Sequence, residues 1–445
     1  MSLGLRRLIF IVFLLAFLIV TPLIILYAAG YKISKTGFQK TGIFILDSKP
    51  KGAKIFINGK VQKNFLKKLL LDQNNFITTP AKIKNLSPGE YTVSLELDGF
   101  WGWQKKLIIY PGASTYAEDI YLFKKDLPMI LTQGEVMASA LSPNKENLAI
   151  LTKNNLILIN LTNDEQKLVA STTSSKNEIV WSNDNKKIMI DKVIYDVDNL
   201  IKKLNLNDFL SKEAKNFKWF NDKLYYQEKN SLNYFDLSTD TAKKIINDQK
   251  FNDYLIKGDN LYVLSDLNQS VDLNTFIINS GELIGSINLP SSKSYYFINP
   301  EHQLLNIYDQ NHQILYLVEP QATFFPLKEI INNIKQTYWI DNNKLLFAND
   351  FEIWLYNSDS NEKILITRIS DKIDRIIWHP SNNYIIYSTK QTINSIELDE
   401  RGSRNFTQLI KLDEISSPVI NSQGNVLYFY GKIGSQKGLY KLALQ

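Results

Sequence analysis

The sequence predicts an all-β protein with one N-terminal transmembrane helix, a small β-sandwich and a β-propeller. Three observations predict it. A tag of one apolar or aromatic residue followed by turn formers returns eight times, at Leu141, Trp181, Trp219, Ile256, Ile298, Trp339, Trp378 and Ile420. The steps between tags are 37 to 42 residues, and a period near 40 residues with about four strands per unit is the mark of propeller blades. Short alternating runs between turn residues fill positions 42–123, the pattern of paired strands. Leu8 to Tyr31 carries no charged residue.

That first apolar run, at about 1.5 Å per residue, is long enough for a hydrocarbon core of about 30 Å. Residues 1–31 read as an uncleaved signal anchor and 32–41 as a juxtamembrane linker. A cleaved signal peptide is the alternative, but its apolar stretch is only about 7–15 residues, and Leu26-Tyr27-Ala28 puts Leu where cleavage wants a small residue. Arg6 and Arg7 favour a cytoplasmic N-terminus, whereas Lys32, Lys35 and Lys40 oppose it. The expectation is a single-pass protein with its bulk extracytoplasmic, because a short apolar segment ahead of a large domain is how exported chains begin.

Residues 42–125 read as the sandwich. Gly42–Leu46 and Lys54–Ile57 are strand-like, and Asn58-Gly59 is a hairpin turn. Tyr91–Leu97, Lys106–Tyr110 and Ala117–Leu122 follow, separated by Asp98-Gly99 and Pro111-Gly112. The ordered set Ser48, Pro50, Gly52, Ala53, Asn58, Gly59, Lys60, Thr79, Pro80, Leu86, Pro88, Gly89, Tyr91, Asp98, Gly99 and Phe100 resembles the PEGA domain family. The naming tetrapeptide is Pro50-Lys51-Gly52-Ala53, with Lys51 in the acidic position. The resemblance implies a small β-sandwich of prokaryotic surface and envelope proteins and carries no catalytic residues. Within an inserted segment, Asn64 to Leu71 reads either as a loop packed on the sandwich or as a short amphipathic helix touching the bilayer.

Residues 126–445 read as the propeller. Strand-like runs such as Asn147–Leu151, Lys344–Phe347 and Val426–Phe429 follow the tags. The phrase is similar to the blade opening of TolB-like and WD-type propellers, with poor agreement between Ile256 and Phe324. The last unit ends after a third strand at Gly438–Ala443, and Leu127–Thr132 is a spare strand ahead of the first. Joining them completes a blade and removes an open edge. Eight blades are expected, with seven as the alternative if one weak unit is not a blade.

Composition narrows the chemistry. The chain has no cysteine, which excludes disulfides, thiolate metal sites and cysteine nucleophiles. A net charge of +6 without a Lys/Arg block gives no sign of nucleic-acid binding. His302, His312 and His379 have no metal-ligand spacing. Asn183-Asp184-Asn185 and Asp341-Asn342-Asn343 read as tight turns, and calcium ligation is the alternative. Gly431–Gly438 lacks phosphate-loop spacing and reads as a hairpin. Trp181, Trp219, Trp339 and Trp378 share one repeat position and read as blade packing.

Phe100, Trp101 and Trp103 surround Gly102 after a tight turn. Local packing is one reading; a partly exposed platform for a sugar ring or protein partner is the other. The chain is therefore expected to be a non-enzymatic envelope scaffold without cofactor or metal, whose partner is an envelope protein or, alternatively, a cell-wall or surface polysaccharide. A propeller hydrolase or lyase would need acidic or histidine residues converging at one end of the channel.

Overall fold

The computed structural model describes residues 3–34, 37–64, 76–171, 178–247, 250–266, 270–292, 294–322 and 324–445. The expected helix or loop of Asn64–Leu71 lies, apart from Asn64, outside the described residues.

Helix α1 (Leu3–Ala28) contains Pro22 and is long and apolar enough to cross a membrane. Its Leu, Ile and Phe side chains face outward along most of its length. Within the segment read as a juxtamembrane linker, 32–41, strand β2 (Gly37–Lys40) pairs antiparallel with β1 (Tyr31–Ser34). Thr41 ties the hairpin to the helix end: its backbone N–H and its hydroxyl both donate to Gly30 O at 2.7 Å. Asn85 Nδ2 donates to Tyr27 Oη at 2.8 Å.

The sandwich has strands β3 (Gly42–Lys49), β4 (Lys54–Ile57), β5 (Lys60–Val61), β6 (Ala81–Leu86), β7 (Gly89–Glu96), β8 (Trp103–Ile109) and β9 (Ser114–Tyr121). One sheet runs β5-β4-β7-β8 and the other β6-β3-β9, with β3 and β9 parallel. Side chains alternate along each strand, so Phe44, Leu46, Ile55, Leu95, Leu107 and Ile109 all turn inward and are buried. Each such burial stabilises the fold by roughly 1.5–3 kcal/mol. Gly42 is required by close approach: a Cβ there would lie 2.5 Å from the Ile109 side chain and 2.8 Å from Tyr110 O.

The propeller consists of eight four-stranded sheets. The inner strands of blades 1 to 8 are Val136–Leu141, Val180–Trp181, Lys215–Phe220, Phe251–Lys257, Tyr295–Ile298, Gln336–Trp339, Ile373–Trp378 and Glu414–Ile420. Each repeat tag falls at the last or penultimate residue of its inner strand. The poorly patterned stretch from Ile256 to Phe324 still builds complete blades 4 and 5. The ring closes as the ends of the repeat imply. Strand β10 (Met129–Gln133) pairs antiparallel with Gln436–Ala443 as the outermost strand of blade 8. Across that seam Tyr428 Oη donates to Leu161 O at 3.0 Å, and Lys441 pairs with Asp164.

Inner strands run from an entry face to the face carrying the tag turns, here the turn face. The sandwich docks on the turn face of blades 7 and 8 through the Trp103 end of β8 and the Tyr121 end of β9.

Candidate functional site

The three aromatics singled out in the sequence do not form one platform. Phe100 packs against the sandwich core. Trp103 is 4% exposed and its Nε1 donates to Glu397 Oε1 of blade 7 at 3.0 Å. Its indole is closed to a ligand because it is part of the docking contact. Trp101 alone is at the surface, 37% exposed, with Lys125 Nζ 5.1 Å above its ring.

The docking contact is centred on a buried ion cluster that sequence reading missed. Period-two alternation along β8 turns Trp103, Lys105, Leu107 and Ile109 inward, which places a lysine on an apolar register. Lys105 Nζ lies 2.7 Å from Glu397 Oε2 and 3.3 Å from Asp399 Oδ2, and donates to Asp399 O at 2.7 Å. Arg401 grips the Asp399 carboxylate with two nitrogens and donates to Tyr116 O of β9 at 2.9 Å. Burial pushes the Asp399 carboxyl up; the Arg401 hydrogen bonds and the Lys105 charge outweigh it and hold it down at about 2.

Beside this cluster Tyr121 and Phe123 pack edge-on to the propeller rings His379 and Tyr384, with Tyr121 and His379 centroids 4.4 Å apart. His379 Nε2 is 2.9 Å from Gly424 O. A carbonyl only accepts, so Nε2 carries the proton, while Nδ1 accepts from Ser381 N. Burial pushes this imidazole down to about 4. His302 is similarly placed between blades, stacked 3.5 Å from Trp339 and bonded through Nε2 to Asn342 O. His312 binds Asp309 at 2.6 Å. The Asx clusters serve the turns: Asp184 accepts Lys186 N, and Asp341 accepts Asn343 N and Lys344 N. Gly431 to Gly438 forms a hairpin. Trp181 and Trp339 reach across to the preceding blade, at Ala140 O and Asn306 Oδ1.

The entry face holds a cavity of about 870 Å³ walled by the inner strands of blades 6, 7 and 8. Gln336 joins two of these walls, accepting from Ile376 N at 2.9 Å and donating to Asp374 O at 2.6 Å. Beneath the cavity, Lys145 from the tag turn of blade 1 reaches Tyr338 of blade 6. Its Nζ lies 3.1 Å from Tyr338 Oη and 5.3 Å from the ring centroid. These two blades are not neighbours, so the pair reaches across the channel.

Charges around the cavity are unequally matched. Asp350 is engaged by Lys335 at 2.6 Å and Lys372 at 3.4 Å, and the Lys335 hydrogen bond leads the causes that hold its carboxyl below the usual range. Glu414 faces Lys437 at 3.7 Å. Asp374 accepts a hydrogen bond from Ser388. Among the described residues, Arg375 and Lys390 have no carboxylate partner, and Tyr430 Oη is buried without a hydrogen-bond partner. Opposite, in blades 3 to 5, Asp253 is fully engaged by Lys218 at 2.5 Å, Asn216 at 3.1 Å and Phe297 N at 2.9 Å.

No protein-family model and no curated protein matches the chain. Solved structures do match, through the propeller. A structure of the Dos1 propeller is 14% identical over 73% of this chain and 96% of that one, with a TM-score of 0.51. A structure of the eukaryotic initiation factor is 10% identical over 70% and 86% of the two chains, with a TM-score of 0.50. At such identities the likeness is one of β-propeller fold.

Proposed function

We propose that the chain is a membrane-anchored binding protein of a prokaryotic cell envelope, with its bulk extracytoplasmic and with the entry face of the propeller as its recognition surface. Helix α1 is the anchor and the sandwich, a PEGA-like domain, is the spacer. The observation that carries this reading is the position of the cavity. It opens on the face opposite the one on which the sandwich docks, so anchor and recognition face are at opposite ends of the protein. Strand β8 has its Ile109 end beside the hairpin that follows the helix and its Trp103 end on blade 7. Seven residues at about 3.3 Å each set the propeller roughly 23 Å beyond that end.

The role in this reading is binding, supported by the lack of a catalytic motif in the sequence. The partner is an envelope protein. A surface polysaccharide is the second reading, favoured by the exposed Trp101 ring. Crosslinking in the native cells, purification through this chain and mass spectrometry test both. One or two stoichiometric envelope proteins support the scaffold; polysaccharide without protein supports the second reading; neither overturns both.

A further inference from the structure

We infer that the entry-face cavity is a receptor for an acidic peptide segment, read through Arg375 and Lys390. This rests on the reading of the entry face as the recognition surface and names the chemistry of its partner. Three observations converge. The cavity is walled by the inner strands of blades 6, 7 and 8, and Lys145 of blade 1 reaches across the channel to its lining residue Tyr338. Two of its three acids face lysines, Asp350 with Lys335 and Lys372, and Glu414 with Lys437; the third, Asp374, accepts only a long hydrogen bond from the Ser388 hydroxyl. Of its four cations Lys335 and Lys372 share Asp350, but among the described residues Arg375 and Lys390 meet no carboxylate. The well therefore holds more cationic charge than its own acids neutralise.

A guanidinium pairs with a carboxylate through two parallel hydrogen bonds. Arg375 and Lys390 are both exposed, so the attraction they exert is screened by salt. Tyr430 Oη, buried at the wall and unpartnered, adds a polar group that the protein leaves unsatisfied. A cationic segment is disfavoured by the same charges, and a neutral one leaves them without partners.

The test uses the full chain in lipid nanodiscs and fluorescein-labelled hexaglutamate, with hexaglutamine and hexalysine as comparison peptides, read by fluorescence anisotropy. Hexaglutamate is expected to bind, with affinity that falls as salt rises. Arg375→Glu and Lys390→Glu should each weaken it by about tenfold or more while circular dichroism stays unchanged. Lys229→Ala, an exposed cation of blade 3, should leave it unaltered. Binding no tighter than hexaglutamine overturns the inference. So does an equal loss in Lys229→Ala, which means diffuse attraction. The same variants separate this inference from the scaffold reading. An envelope partner crosslinked equally by wild type and by the Arg375→Glu/Lys390→Glu double variant keeps the scaffold and overturns the acidic well. Variant-sensitive hexaglutamate binding with no crosslinked partner keeps the well and overturns the scaffold.

Discussion

The two ends of the propeller use the same residue types to opposite effect. On the turn face, Lys105 is wholly enclosed, with Glu397 and Asp399 around it, and Trp103, Tyr121 and Phe123 seal the contact. On the entry face, Lys372 is largely exposed, and Arg375 and Lys390 stand beside an open cavity with no acid of their own among the described residues. The difference teaches that burial and pairing, not residue type, decide what a charge does. A buried charge deprived of its partner strongly destabilises a protein, so the turn face is committed to the sandwich. An exposed charge costs little to leave unpaired, so the entry face stays free for a partner.

The largest effect should come from breaking the committed end. Glu397→Ala removes the nearer partner of Lys105 and also the acceptor of Trp103 Nε1. A loss of about 3–5 kcal/mol is expected, seen as a lower melting temperature and as new proteolytic cleavage between the sandwich and β10. An unchanged melting profile would show that the ion cluster does not hold the junction.

Acid should probe the same end next. His379 is held at about 4 in the fold against an ordinary 6.5. The unfolded chain thus takes the proton first, so stability is full above pH 6.5 and falls as pH drops toward 4. The difference amounts to roughly 3 kcal/mol. Thermal melts at pH 7, 5.5 and 4 should show this decline, and His379→Gln should flatten the part due to this ring.

Smaller effects sharpen the contrast. Trp101→Ala loses a half-exposed ring and its contact with Lys125, a cation–π pair worth about 0.5–1 kcal/mol at exposed sites. Its melting temperature should move little; a polysaccharide that binds wild type but not this variant would favour the second reading. Smallest of all, Arg375→Ala and Lys390→Ala should change stability by no more than about 0.5 kcal/mol. A larger loss in urea titrations would place these cations in the structural framework and erase the distinction between the two faces.

Much of the architecture was legible in the residues. The tags from Leu141 to Ile420 mark the ends of all eight inner strands, because a tight turn at a fixed place in each blade demands the same turn formers. The spare strand at Leu127–Thr132 was legible because Gly438–Ala443 left a blade one strand short. The pairing of β1 with β2 was not, since each strand has only four residues, too short a pattern to tell from a linker, and the pair is tied down by the contact of Thr41 with Gly30. Nor was the fate of Phe100, Trp101 and Trp103. Their spacing is identical whether the rings face solvent or blade 7, and only Glu397, nearly three hundred positions away, decides. One sign was present: Lys105 stands on the inward register between Trp103 and Leu107, where a charge needs a buried partner.

By itself the sequence determined the apolar helix, the strand periods and the turn positions, because each depends on residues within a few places of one another, whereas it left the blade count at eight or seven. The tertiary structure decided which face the sandwich covers, how Lys145 meets Tyr338 across the channel, and which cations are left without acids among the described residues. Those outcomes depend on side chains brought together when the ring closes, and charges distant along the chain find or miss their partners only then.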